Sequence, residues 1–192
     1  MENIYDHQDE ENNKRKNEID SLKSSYLSKQ ENKSINSWIL KIKNKSNIKD
    51  SKEMNAHVKK AIKALQLKYT IIGNGKNRIV FDLENGYVLK VALNNWGMKS
   101  NKKEYKLFFN SPSHIRKHLC PVIESGYGWI IMKKMTQKIP SDKEYDKKIS
   151  QLIKIFKENG IEPKDIKEKN LALSENGDFI VIDYGNFIVT GD

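Results

Sequence analysis

Asn85-Gly86 stands between two apolar runs, Arg78 to Leu83 and Tyr87 to Leu93, and obliges the chain to fold back on itself. Asn-Gly readily supplies the positive-φ positions of a two-residue hairpin turn, and the flanking residues favour extended backbone. A third run, Tyr69 to Ile72, precedes them across a Gly73-Asn74-Gly75 break. Three runs in such close succession predict an antiparallel sheet. A polar stretch follows, then a helix over Lys99 to Phe109, stopped at Ser111-Pro112 because the residue before a proline is driven out of the helical region. Cys120 to Tyr127 and Trp129 to Met135 read as another hairpin, turning near Gly126 and Gly128. A helix over Asp142 to Asn159 presents Ile149, Leu152, Ile153 and Phe156 on one face and stops at Gly160. Strands at Leu171 to Leu173 and Phe179 to Ile182, joined by Asn176-Gly177, close the sequence. A sheet carrying one helix, joined to a more helical part, is α+β.

The 192 residues suit one domain with an extension. Residues 1–34 are polar and charged and are expected to be disordered or weakly helical. The acidic start, Met1 to Glu11, has no apolar core of the kind a cleaved signal peptide needs, while Asn12 to Lys16 carries three basic residues. Residues 35–68 read as a helical extension. Ile35, Trp38, Ile39 and Ile42 share one helix face, and Met54, Val58, Ala61, Ile62 and Leu65 share another, capped by Asp50 or Ser51. A packing element is the first reading of this pair, and a partner-binding helix the second. Residues 69–192 form the main domain. No apolar run approaches the roughly 18 residues of a membrane span. A single cysteine, Cys120, excludes an internal disulfide and points to a reducing, cytoplasmic compartment, with export by a route that leaves no signal peptide still open. Cys120, between Leu119 and Pro121, reads as a small buried side chain. The formal charge of +10 favours acidic partners: nucleotide, nucleic acid, anionic lipid or acidic protein.

Four blocks carry chemistry. Gly73 and Gly75 lie in a hairpin break where backbone can approach a phosphate without an intervening Cβ, although taken alone such a pair is an ordinary turn. Lys90, in Val88-Leu89-Lys90-Val91-Ala92, is an ammonium set in an apolar strand, which needs a paired anion if it is buried. Glu104 on the following helix can supply it. Asp165 and Asn170 lie five residues apart in a polar loop. Asp183 ends an apolar strand ahead of Tyr184-Gly185, where a hard cation would find an oxygen ligand.

In order and spacing these blocks resemble the protein kinase superfamily: a glycine-rich loop, a strand lysine, a helix glutamate, D-x-x-x-x-N, and Asp-aromatic-Gly. Asp165-Ile166-Lys167-Glu168-Lys169-Asn170 is similar to that family's catalytic loop, and Trp129 to Met135 to its fifth strand and hinge. The resemblance implies ATP and Mg²⁺ as ligands. It implies that Gly73, Gly75 and Lys90 hold the phosphates and Glu104 holds Lys90. Met132 would be the gatekeeper, and the backbone from Lys133 to Met135 would meet adenine. Asp165 would orient the acceptor hydroxyl, Lys167 steady the γ-phosphate, and Asn170 and Asp183 bind the metal. The implied activity is transfer of the γ-phosphate to a serine or threonine of a protein, with a host-cell protein and an activating partner among the expectations.

The departures are specific. Arg78 stands at the third glycine position, where it stiffens the loop or brings a guanidinium to a phosphate or carboxylate. Pro163-Lys164 replaces His-Arg before the loop aspartate. Within this sequence nine residues follow Asp183, so no activation loop or later helix is expected, and control by loop phosphorylation is not. This architecture is similar to minimal effector kinases of bacterial pathogens. A pseudokinase or nucleotide-gated binding module is the competing reading. A basic nucleic-acid-binding domain is a third, supported by charge alone.

Overall fold

The computed structural model describes residues 24–42, 51–139 and 143–190. The readings of residues 1–11 and 12–16 and of the Asp50 cap fall outside them.

Two helices come first, α1 (Lys29–Ile42) and α2 (Ser51–Leu65). Helix α1 starts earlier than its apolar periodicity suggests, inside the stretch expected to be disordered or weakly helical. Ser28 and Glu31 close a reciprocal cap: the Glu31 N–H donates to Ser28 Oγ at 3.3 Å and the Ser28 N–H to Glu31 Oε2 at 2.7 Å. This Ser-x-x-Glu pattern satisfies two of the orphan donors of a first turn.

The meander follows as β1 (Thr70–Asn74), β2 (Arg78–Asp82) and β3 (Tyr87–Ala92). Gly86 sits at φ +89°, as the Asn-Gly turn requires. Helix α3 (Asn95–Asn110) begins a turn earlier than expected, because Asn94 Oδ1 accepts from the Gly97 N–H at 3.0 Å. After the short α4 (Ser113–Arg116), which was not anticipated, β4 (Val122–Gly126) and β5 (Trp129–Lys133) complete a five-stranded antiparallel sheet. Its order is β1-β2-β3-β5-β4. The remainder comprises α5 (Lys143–Glu158), β6 (Ile161–Glu162), a 3-10 turn at Glu168–Asn170, β7 (Leu171–Leu173), β8 (Phe179–Val181) and β9 (Ile188–Val189). Strands β7 and β8 form the expected ribbon, while the two-residue pair β6 and β9 was not foreseen.

Period-two alternation divides the sheet between two cores. Leu89, Val91, Trp129 and Ile131 face α1 and α2 and pack with Ile35, Ile39 and Leu65. The α1–α2 pair is anchored there by polar contacts too. Trp38 Nε1 donates to Ala92 O at 2.9 Å, and His57 Nε2 hydrogen-bonds Leu93 O at 2.7 Å. Val88, Ile130 and Met132 face the other way and join Leu152, Phe156, Val181 and Tyr184. Lys90, two residues from Val88, is therefore carried on the face that looks toward α5 and the ribbon. The ribbon is tied to the segment after α4 by Cys120 N–H donating to Val181 O at 2.9 Å and Val181 N–H to His118 O at 2.8 Å. Among the described residues no helix is long and apolar enough to cross a membrane.

Gly128, in the β4–β5 turn, is the joint between the extension and the sheet. Its φ is +81°, and an added Cβ would lie 2.5 Å from Ile39 Cδ1. Gly128→Ala is expected to lower stability by about 2 kcal/mol, since it strains the backbone and overpacks α1 together. Urea unfolding of the full chain measures this; a loss within the error of the measurement would mean that α1 does not pack on this turn.

Candidate functional site

Glu104, on the buried face of α3, has no solvent exposure. A carboxylate there is stable only with cations and hydrogen-bond donors around it. Lys90 Nζ lies 3.1 and 3.3 Å from its two oxygens, Arg78 Nη1 lies 2.6 Å from Oε2, and the Tyr184 N–H donates to Oε1 at 3.1 Å. Arg78 extends the cluster: its Nη2 reaches Asp183 Oδ1 at 2.5 Å and its Nη1 is 3.2 Å from Asn101 Oδ1. Asn101 in turn donates to Lys90 O and Gly128 O. Lys90 Nζ spends its remaining donor on Ile182 O at 2.7 Å, so residues 92 positions apart meet directly. Of the two options that the sequence leaves for Arg78, the guanidinium meets carboxylates here.

The close approach of α3 to the Asp183-Tyr184-Gly185 segment explains the glycine. A Cβ on Gly185 would lie 2.7 Å from Ser100 Cβ. Tyr184 is fully buried, and its hydroxyl donates to Cys120 O at 2.8 Å. Burial pushes its phenol well above the usual range. Cys120 is buried as expected, and burial pushes its thiol up to about 12, which makes it inert; its Sγ donates to Lys133 O.

A cleft of about 570 Å³ opens between the sheet and the C-terminal part. Gly73, Gly75, Lys90, Met132, Asn170 and Asp183 line it, as do Lys133 and Met135. Its walls include Val80, Val88 and Ile182, and its rim Lys76, Lys169 and Asn186, none of which was anticipated. The apolar ones are indistinguishable in sequence from core residues. Nothing approaches within 4 Å of a Cβ built on Gly75, so that side of the hairpin is open to a ligand. In the β5 exit, Lys133 N–H donates to Pro121 O and Lys134 N–H to Gly86 O, whereas Met135 has no hydrogen-bonded partner among the described residues. A flat heterocycle entering the cleft would find the backbone of Met135 available rather than the N–H groups of Lys133 and Lys134.

Asn170 is held beside Asp183 by Ile182 N–H, which donates to Asn170 O at 2.9 Å. Its Nδ2 donates to Asp165 O at 2.9 Å, leaving the side-chain oxygen free to face a cation. Asp165 and Lys167 do not line the cleft. They sit just outside it on the same loop, paired to each other and exposed. Asp165 takes a positive φ of 64°, uncommon for a residue other than glycine. Glu104 also stays out of the cleft, behind Lys90.

Among the described residues no three His, Cys, Asp or Glu side chains group to hold a metal by themselves. One carboxylate and one amide oxygen, from Asp183 and Asn170, fit Mg²⁺, which keeps waters and takes phosphate oxygens as its other ligands. They do not fit zinc.

No protein-family model and no curated protein matches the chain. Solved structures do. Monomeric WbdD superposes with a TM-score of 0.51 at 16% identity, over 60% of this chain and 33% of that one. The fold is kinase-like. WbdD solved as a bifunctional kinase-methyltransferase gives 0.47 at 18% identity over 60% and 31%. WbdD with the kinase inhibitor LY294002 gives 0.49 at 16% over 61% and 32%. The chain thus spans about a third of the length of these structures.

Two outcomes follow from the cluster. Glu104→Ala leaves two buried cations without their shared anion and is expected to destabilise the protein by about 3 kcal/mol or more, read by urea unfolding. Asp183 gives a pH signature. Burial pushes its carboxyl up, but Arg78 and Lys90 outweigh this and hold its pKa below the ordinary value. Its contribution is then complete above the unfolded pKa, near 3.9 (roughly), and is lost as pH falls through the lower folded value. Asp183→Asn is expected to flatten the acid limb of a stability profile between pH 5 and 2 (about), while the neutral limb keeps its slope.

Proposed function

We infer that this protein is an ATP-dependent phosphotransferase that moves the γ-phosphate onto a serine or threonine hydroxyl of a protein substrate. The observation that carries the reading is the convergence of Lys90, Asn170 and Asp183 on one cleft whose fold is kinase-like.

Each residue has work suited to its surroundings. Gly73 and Gly75 leave the hairpin backbone open to phosphates. Lys90, already aimed past Glu104, offers its ammonium to the phosphates when it releases Ile182 O. Met135 offers its backbone to the adenine edge, between walls formed by Val80, Val88 and Ile182. Asn170 and Asp183 would hold Mg²⁺, which when bound neutralises charge on the phosphates. Asp165, exposed and tied by its carbonyl to the Asn170 amide, would meet an acceptor hydroxyl arriving from solvent. Lys167 at its side suits the charge on the transferred group.

The Arg78–Asp183 pair favours a second reading, a nucleotide-binding module without transfer, because it engages the very carboxylate the metal would need. Labelled ATP, Mg²⁺ and a cell lysate or generic acceptor protein separate the two. Phosphate incorporation is expected with the full chain, reduced about 100-fold or more by Lys90→Ala, Asp165→Ala and Asp183→Ala. Nucleotide binding with no transfer to any acceptor would support the binding module, and absence of nucleotide binding would remove both.

A further inference from the structure

Before any ligand binds, the heart of the cleft is electrically closed. Arg78 and Lys90 contribute two positive charges, and Glu104 and Asp183 two negative ones, linked in series by ion pairs from Lys90 to Glu104, from Glu104 to Arg78 and from Arg78 to Asp183. The guanidinium is the part that joins the two carboxylates. One nitrogen faces Glu104 and Asn101, the other faces Asp183, and the side chain is only 10% exposed. A planar fork can hold two carboxylates at once in this way, and a lysine ammonium cannot do so with the same geometry. Arg78 is also fixed from behind. Its carbonyl accepts from the Gly75 N–H at 2.9 Å, and its strand position pairs with Ala92. Asp183, by contrast, is 44% exposed and lines the open cleft, so a cation from solvent can reach it.

We propose that Arg78 is a tethered counter-ion of Asp183, a positioning residue that an incoming divalent cation must displace, so that metal binding is an exchange of cations. The proposal rests on reading the cleft as a metal–nucleotide site. A divalent ion held by Asp183 would sit within roughly 5 Å of the guanidinium, where like charges repel strongly away from bulk water. Adding it to a cluster that is already neutral is favourable only if the arginine arm leaves or an anion arrives as well. A triphosphate supplies that anion. The metal alone is then a poor ligand, and metal and nucleotide enter together. The second nitrogen of Arg78 stays on Glu104 throughout. That matters because Lys90 turns part of its charge toward a phosphate when it releases Ile182 O, and Arg78 then keeps a second cation on Glu104.

The test uses the full chain, a fluorescent ATP analogue and Mg²⁺, with binding rather than turnover as the readout. Arg78→Gln removes the competing charge and one positive charge from the cleft. Its half-saturating Mg²⁺ concentration is expected to fall about tenfold, while its affinity for the analogue without metal also falls. A merely structural defect would weaken both. Arg78→Lys returns the charge and is expected to return the higher Mg²⁺ requirement. An unchanged or raised half-saturation in Arg78→Gln, or a lysine variant that behaves like the glutamine one, overturns the proposal while leaving the nucleotide site standing. No binding of the analogue by any form overturns the nucleotide site itself and the exchange with it. The wild-type protein offers a check independent of folding defects. It has three arginines, so the Arg78 guanidinium can be assigned by ¹⁵N NMR. Its side-chain resonances are expected to shift when Mg²⁺ and a non-hydrolysable ATP analogue are added together and to stay in place with Mg²⁺ alone; any other pattern counts against the exchange.

Discussion

Glu104 is an anion with no access to water, and the arrangement of the molecule around the cleft follows from satisfying it. Its four hydrogen bonds come from three residues: Arg78 on β2, Lys90 on β3, and the Tyr184 N–H just past β8. Hydrophobic contact alone would let α3 slide or rotate against the sheet at little penalty, because such contact is not directional. Two cations and a backbone donor aimed at one carboxylate fix both its depth and its angle. The same contacts bring the Asp183 segment against α3, where Gly185 is the only kind of residue that fits beside Ser100. Whatever binds in the cleft therefore meets a wall set by electrostatics on one side and by packing on the other.

The sheet can supply such a wall because both of its faces are covered. Strand β3 is buried nearly throughout, from Val88 to Ala92, which is unusual for an antiparallel strand with one wet face. Helices α1 and α2 cover the face opposite the cleft, and without them Leu89, Val91 and Ile131 would lie open to solvent. The N-terminal pair thus acts at a distance on Lys90. By burying alternate residues of β3 it removes any freedom for the strand to slip by one residue, a slip that would turn Lys90 away from Glu104.

Much of this was readable in the amino-acid order, and for physical reasons. Asn85-Gly86 and the alternating runs around it dictate local backbone, and local rules survive tertiary context. Lys90 and Asp183 stand out because a charged side chain within or at the end of an apolar strand demands an explanation, and Asn170 because of its five-residue spacing from Asp165 in a polar loop. Glu104 was harder: α3 is rich in Lys and Asn on all sides, and only the structure shows which face is buried. The Ser28–Glu31 cap has the Ser-x-x-Glu pattern, but it stands well ahead of the apolar face, which begins at Ile35, so periodicity does not mark it. The pairing of β6 with β9 had no local signature at all. Two residues per strand carry almost no propensity, and this pair exists because the chain ends of other elements place it there. Arg78 is the instructive case. Its identity advertised a departure, and its two options were a phosphate or a carboxylate. The choice depended on Asp183, 105 residues away, which no local pattern can report.

Placing arginine where a flexible glycine would serve changes how the cleft attracts a ligand. The inner cluster is neutral, so it exerts little pull at a distance. The long-range field comes instead from the rim, where Lys76 and Lys169 line the opening and have no ion-pair partner among the described residues. Such exposed charges steer anions over about a Debye length and weaken as salt is raised. The inner cluster, shielded from solvent, is screened far less. Capture and commitment are thereby separated. On the proposed exchange, the rim would gather any anion of suitable size, and the buried charges would admit only one that brings a cation to take Arg78's place on Asp183. A cleft built this way would discriminate between a bare nucleotide and its metal complex at a point that the overall charge of +10 cannot influence.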